Sequence, residues 1–496
     1  MKTRVITLQK QKVKSNLVLV GKVIAERYDA KLNRTIIHIA TPQGKRIQKL
    51  FYGKHQGVVG AYLYYDPAEK AYRWSKPVTK KKQEDVKNVQ RTYIGRVTGD
   101  TTVHNFEFRS ENSVHELDFV ITVAGDHLVL GQVVEIRQTP NRQLFAKCKV
   151  LVHLTTDGTV VFPNVPVTPR APVYKATDRD LRRFFEIKKG LYIGHLFGTR
   201  IPVYIDLKKL IIGGTALFGV RRTGKSYLGG VIVEELVDHA FPVLIIDPHG
   251  EYIFKYPNDV EDEQRLFKIF NEKPRSYKEH NYVVAVDSSV KEADKYVDIE
   301  ELSEPEFYIR HIRPGKILTI VTKGLELEEA IEAVYRVSHT TFELRKKRAI
   351  PPYFFLLDEI QNYAPQRVQG MPKSVAYTKK KLAHIASEGG KFGIGFFAIS
   401  QRPAWVEKSV IAPLQNFFVT RIAWKNDKEV VKQSVVGADE YMSVIERLPV
   451  GRAYISGITP FPALVSVRVR RTRHMGASVD VDRIMFEIGG ENGAPV

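Results

Sequence analysis

Residues 219–226 read GVRRTGKS and match the pattern GxxxxGK[ST] in full. Phosphate binding needs these residue types at this spacing. Gly219 and Gly224 let the backbone wrap closely with its N–H groups turned inward. Lys225 can then reach the β and γ phosphates of a nucleotide, and Ser226 can ligate Mg²⁺. Val220, Arg221, Arg222 and Thr223, with Tyr227 just beyond, complete the expected cradle. Arg221 and Arg222 either touch phosphate or face solvent. The apolar run IIGGTALF precedes the loop, and YLGGVIVEELV, with helical spacing, follows it. Strand, loop and helix in that order are the context the chemistry requires.

A second group of residues would act on what the loop holds. In YFFLLDE (353–359), an apolar run leads to two acids. Open parallel sheets place their ligand sites at the C-terminal ends of their strands. There Asp358 would hold Mg²⁺ through water, and Glu359 would orient or polarise the attacking water. Two adjacent acids point to hydrolysis rather than to a kinase's transfer. AISQRP (398–403) brings Gln401 to the same edge as a sensor of the γ phosphate, or else as a cap on the turn before Pro403. IIDPHGEY (245–252) brings Asp247 and Glu251 beside the loop, whereas His249 reads as structural.

These residues need a scaffold, and the pattern from about Leu191 supplies one. FPVLIID, NYVVAVD, KILTIVT, PYFFLLDE, IGFFAIS and NFFVTRIAW are strand-like. They alternate with YLGGVIVEELVDH, LELEEAIEAVYRVSHTTFELRKK and YTKKKLAHIASEGG, which are helix-like. Such alternation predicts an α/β core with a mostly parallel sheet under covering helices. All-β structure is expected ahead of it. Residues 1–76 form one β domain, 77–90 a charged linker or a solvated helix, 91–160 a small β-barrel, and 161–190 a proline-rich connector. The core spans 191–475, and 476–496 is a mobile tail.

The 496 residues suffice for about three domains. Lys and Arg number 76 against 55 acids, a net charge of +21, which points to a polyanion and above all to nucleic acid. The stretch APQRVQGMPKSVAYTKKK (364–381) offers Arg367, Lys373, Lys379, Lys380 and Lys381 to DNA phosphates; the alternative is an ordinary solvated basic helix face. ELRKKRAIP (343–351) reads as helix C-terminal charge. VRVRRTRH (467–474) is expected on the surface, toward DNA or away from it. The single cysteine, Cys148, excludes an internal disulfide and a cysteine-based zinc site. The N-terminus lacks a signal-peptide core, and no apolar run approaches the ~20 residues of a membrane span. A soluble, cytoplasmic protein without a membrane partner is expected.

Taken together and in order, GVRRTGKS, IIDPHGEY, LLDE and EGGKFGIGFFAISQRP (388–403) resemble the HerA–FtsK group of hexameric DNA-pumping ATPases, the HerA branch above all. VTRIAW (419–424) is similar to a strand of the FtsK side, and the barrel at 91–154 resembles the HAS-barrel of HerA proteins. The likeness runs from about 91 to 473 and leaves 1–76 without a family reading. It implies a RecA-like P-loop core, ATP and Mg²⁺ as cofactors, a homohexamer, and a DNA-stimulated ATPase that moves along double-stranded DNA. It also implies a NurA-type nuclease partner in DNA end processing. The resemblance places an arginine finger near Gly390, where this chain has none; Lys391, Arg421 or Arg402 would replace it. DNA transfer or packaging for a plasmid or virus is the alternative task. A protein-moving secretion ATPase fits the positive charge less well.

Overall fold

The computed structural model describes residues 5–7, 18–29, 34–41, 45–52, 62–66, 71–74, 91–156, 158–184 and 190–476. The expected linker at 77–90 lies outside the described residues, as does the expected tail from 477 onward. The chain divides into two units, Met1–Ala176 and Thr177–Val496.

Among the described residues the first unit is all β. A six-stranded sheet runs in the order Val5–Thr7, Ala71–Trp74, Tyr62–Asp66, Val18–Asp29, Arg34–Ala40, Arg46–Tyr52. A second sheet closes on itself. Tyr93–Thr98 pairs with Asn105–Ser110, then Leu144–Leu154, His127–Gln138, Phe119–Ala124 and Pro172–Lys175, which returns to Tyr93–Thr98. Phe106, Phe108, Val120, Val129, Val133, Cys148 and Val173 fill the interior of this barrel. Its inward residues alternate with outward ones, as closure demands. The closing strand, Pro172–Lys175, lies within the stretch expected as a connector. It has only four residues and follows a run of prolines, so its strand signal is weak; Pro172 is tolerated because it is the first residue.

The second unit holds a twelve-stranded sheet. Eight strands are parallel, in the order Asn416–Val419, Thr215–Phe218, Ile394–Ser400, Tyr353–Leu357, Val243–Asp247, Ile317–Val321, Asn281–Ala285, Lys295–Tyr296. Beyond Asn416–Val419, four antiparallel strands continue: Arg452–Ser456, Ala463–Val467, Leu191–Leu196 and Pro202–Ile205. VLIID, ILTIV and YFFLL are buried at every position, because helices cover both faces of a parallel sheet and remove any reason to alternate. Register then sets the site. Phe218 lies opposite both Ser400 and Val419, so the segments after all three strands emerge at one edge.

Most of VRVRRTRH does not lie on the surface; Arg473 alone of its residues is exposed. Arg468 and Arg470 are fully buried against the helix Lys225–Asp238, the one that follows the phosphate loop. The Arg468 guanidinium donates to Glu234 (2.9 Å), to Glu235 (3.0 Å), and to the carbonyls of Val231 and Val469. Arg471 bonds Glu235, Asp238 and Glu272. Burial alone would raise the Glu234 carboxyl, but Arg468 and Arg470 hold it below its ordinary value. Charges this deep persist only when paired and hydrogen-bonded, as Arg468 and Glu234 are. Among the described residues no helix is long and apolar enough to cross a membrane.

Candidate functional site

The loop between Thr215–Phe218 and Lys225–Asp238 is clipped to both neighbouring strands. The Gly219 N–H donates to the Ser400 carbonyl (3.2 Å), and the Val220 N–H donates to the Arg421 carbonyl (2.9 Å). Thr223 is buried; its hydroxyl donates to the Val220 carbonyl (2.8 Å) and lies 2.7 Å from the Thr420 hydroxyl. A Cβ on residue 219 would sit 1.8 Å from Thr420 Oγ1, so only glycine fits. Gly224 turns the chain into the helix at φ 91°, in the left-handed region. Among the described residues no side chain caps that helix, so its first N–H groups and its positive dipole end face the loop. Lys225 is 7 % exposed, with Nζ 3.0 Å from the Val220 carbonyl. Burial lowers its pKa, while Asp358, Glu359 and Glu251 oppose the shift. Ser226 is half-buried in the first turn. A glycine-built cradle, an uncapped helix start and a lysine facing three acids suit a nucleotide triphosphate.

The two arginines of the loop separate. Arg222 is exposed at φ 59°, whereas the Arg221 Nε donates to Gln401 Oε1 (2.8 Å). Tyr227, expected in the cradle, sends its hydroxyl to Glu263 (2.8 Å) and accepts from the Arg470 N–H (2.8 Å). Its polar end therefore serves helix packing.

The acids stand at the same sheet edge. Asp358 is buried; it accepts from the Tyr252 hydroxyl (3.2 Å) and from the Glu359 N–H (2.8 Å). Burial, then the adjacent Glu359, push its pKa up to about 7. Glu359 lies in the left-handed region at φ 52°. A non-glycine residue there costs on the order of 1 kcal/mol or more, which the surrounding contacts must hold. The Gln361 amide donates to Glu359 Oε2, and His249 Nε2 lies 3.8 Å from Oε1. Burial would raise Glu359, but these two partners and Lys225 lower it overall. His249 is raised in turn, by Glu359 first. The histidine that reads as structural thus faces the acid expected to activate water.

Asp247 has a different task from the one expected. Its carboxylate accepts from the N–H groups of His249 (3.1 Å), Gly250 (2.8 Å) and Tyr252 (2.8 Å). Both oxygens are used in building the turn that delivers His249, Glu251 and Tyr252 to the site. Glu251 is half-buried, with Oε2 3.9 Å from His474 Nε2.

The expected cations divide between the two edges of the sheet. Arg421 is exposed at the phosphate-loop edge. Arg402 is already engaged, 3.2 Å from Asp427 and 4.0 Å over the Trp405 ring. Lys391 ends the helix Ser374–Phe392, just before Ile394–Ser400 begins, and lies 3.4 Å from Glu388. That is the edge opposite the phosphate loop, so within one chain Lys391 is not brought to Lys225. Residue 390 has no room for arginine, since a Cβ there would sit 2.2 Å from the Ile212 carbonyl oxygen. The helix Leu207–Ile212 fills the place a longer side chain would need. Of the expected DNA contacts, Arg367, Lys373 and Lys380 are exposed. Lys379 and Lys381 are instead turned to carboxylates, 2.7 Å from Glu407 and 3.7 Å from Glu343.

Gln361 lies outside every quoted motif, while Ser400, Tyr252 and Thr420 fall inside AISQRP, IIDPHGEY and VTRIAW without a role assigned to them from spacing. Their signal is the strand ends they share, visible only once the sheet order is known.

Residues 191–395 match the family model for the central domain of helicase HerA. A DNA double-strand break repair helicase HerA of Sulfurisphaera tokodaii is 25% identical over 466 residues, covering 75% of this chain and 92% of its own. A probable helicase of Methanocaldococcus jannaschii is 23% identical over 484 residues, covering 78% and 93%. Among solved structures, VirB4 of Thermoanaerobacter pseudethanolicus is 12% identical over 57% of this chain and 98% of its own, with a TM-score of 0.37. The chain is thus similar to HerA helicases: residues 191–395 resemble their central domain, within an α/β unit that holds the phosphate-loop motif and that a β-barrel precedes in sequence.

Proposed function

We propose that the protein is an ATP-driven translocase or helicase of HerA type acting on double-stranded DNA. The observation that carries this reading is the gathering of Lys225, Asp358 and Glu359 in one buried polar site at the C-terminal edge of a parallel sheet. Magnesium-bound ATP, when present, supplies the phosphoanhydride that is cleaved. The loop N–H groups and Lys225 hold its phosphates, and Ser226 and Asp358 hold the magnesium. Glu359 accepts a hydrogen bond from the attacking water and turns it toward the γ phosphate. Arg221 holds Gln401 at the edge where the γ phosphate would be sensed.

A homohexameric ring is the assembly that the resemblance implies, with a cation supplied by a neighbouring subunit. Lys391 lies on the opposite edge and Arg421 on the loop edge, so either is suited to one side of a subunit boundary. DNA phosphates would meet the exposed Arg367, Lys373 and Lys380. The relatives' names support a role in DNA double-strand break repair; a NurA-type nuclease partner and action in the cytoplasm are further parts of this proposal.

The test is ATP hydrolysis with and without linear duplex DNA. Several-fold stimulation by duplex is expected. Lys225→Ala should lose nucleotide binding. Glu359→Gln should keep binding and lose turnover by roughly 10²-fold or more. Unchanged turnover in Glu359→Gln would remove that residue from the mechanism, and hydrolysis indifferent to DNA would defeat the translocase reading.

A further inference from the structure

Glu359 is oriented by a neighbour whose own orientation is fixed chemically. Gln361 is buried two residues further on, in the turn Ile360–Asn362 and its cap. Its Nε2 donates to Glu359 Oε2, and its Oε1 accepts from the Ser400 hydroxyl (2.7 Å). Ser400 in turn accepts from the Arg402 N–H (3.0 Å). That bond leaves the Ser400 hydroxyl proton to point at Gln361, which presents its oxygen there and its nitrogen to the carboxylate. An ionised carboxylate can only accept, so the chain of donors runs one way.

Ser400 also stands at a junction. It is fully buried, and its carbonyl accepts the Gly219 N–H at the start of the phosphate loop. Past Ser400, Arg402 stacks on Trp405 and bonds Asp427. The Trp405 carbonyl accepts the Gln366 N–H (2.8 Å), and Pro365 bridges Val406. Residues 364–366 are therefore fastened to the segment that Ser400 begins, and the exposed loop carrying Arg367 follows directly.

We propose that Gln361, locked by Ser400, is a positioning residue for Glu359 and ties its orientation both to the phosphate loop and to the base of the DNA-facing loop. This rests on the translocase reading for the role of Glu359 and of the loop. A displacement of the phosphate loop would pass through Ser400 to the carboxylate and, through Arg402 and Trp405, to residues 364–366. Coupling of this kind needs a contiguous set of contacts with a measurable consequence.

Gln361→Leu removes both bonds at similar volume, and Ser400→Ala frees the amide to rotate. Both should lower kcat while leaving KM for ATP within about twofold. A drop of roughly 10- to 100-fold is expected for Gln361→Leu, since small misplacements near the reacting atoms cost on the order of 10²-fold. Ser400→Ala should lose less, and the double variant should be no worse than Gln361→Leu, because the two residues act as one unit. The ratio of duplex-stimulated to basal turnover should fall in both; a merely structural defect would leave that ratio unchanged. Wild-type kcat and wild-type stimulation in variants that bind ATP normally would overturn the proposal. If Gln361→Leu does not fold, Ser400→Ala decides alone. Should the wild type show no response to DNA, the translocase reading fails, and basal kcat still reports on the clamp.

Discussion

Thr420 shows how one side chain can dictate its neighbour. Its hydroxyl occupies the space a Cβ on residue 219 would need, and it bonds Thr223 within the same loop. Gly219→Ala should therefore weaken ATP binding by roughly tenfold or more through overpacking, and Thr420→Ala added to it should recover part of that loss. Titration of each variant with a fluorescent ATP analogue checks this; equal affinity in Gly219→Ala would show that the loop yields freely. The glycines, Lys225 and Ser226 are legible in sequence because their chemistry is local, one loop between one strand and one helix. Gln361 is not, because its meaning depends on Ser400, 39 residues away at the end of the adjacent strand. His249 misreads for a related cause, since its partner Glu359 belongs to another strand.

At the scale of elements, the parallel strands are legible because burial on both faces leaves continuous apolar runs. The segment after Ala463–Val467 is not. A run of arginines reads as surface unless its countercharges are known, and these lie on the helix Lys225–Asp238. Cutting Arg468 back to Ala would leave Glu234 and Glu235 short of a buried partner. A loss of about 3–5 kcal/mol is expected, the usual cost of breaking a buried pair from one side. Denaturant unfolding followed by fluorescence measures it. Arg468→Met with Glu234→Gln should recover part of the loss, because the stranded charge goes too. The same reasoning explains Gly390, where the Ile212 backbone stands against the helix and no arginine can be accommodated.

For the whole molecule, the charge of +21 forecasts DNA binding but not its location. Ion pairing sorts the candidates, because a lysine already held by a carboxylate releases little on meeting phosphate. Removing Arg367, Lys373 or Lys380 should weaken duplex binding at all sequences and lower the salt slope by about 1 for each contact. Lys379→Ala and Lys381→Ala should change it less. Fluorescence anisotropy across a salt series distinguishes the two sets, and equal slopes for all five would show that the inward pairs open on binding.

The buried arginines also constrain how this protein can be cut and joined. Arg468 to Thr472 hold the helix behind the phosphate loop from the far side of the sequence, so the fold is stapled shut by nearly its last described residues. A shortened chain ending before Val467 would leave Glu234 and Glu235 without their arginine partners on the helix that follows the phosphate loop. On the C-terminal side, tags, fusions and proteolytic trimming are therefore tolerable only after this staple.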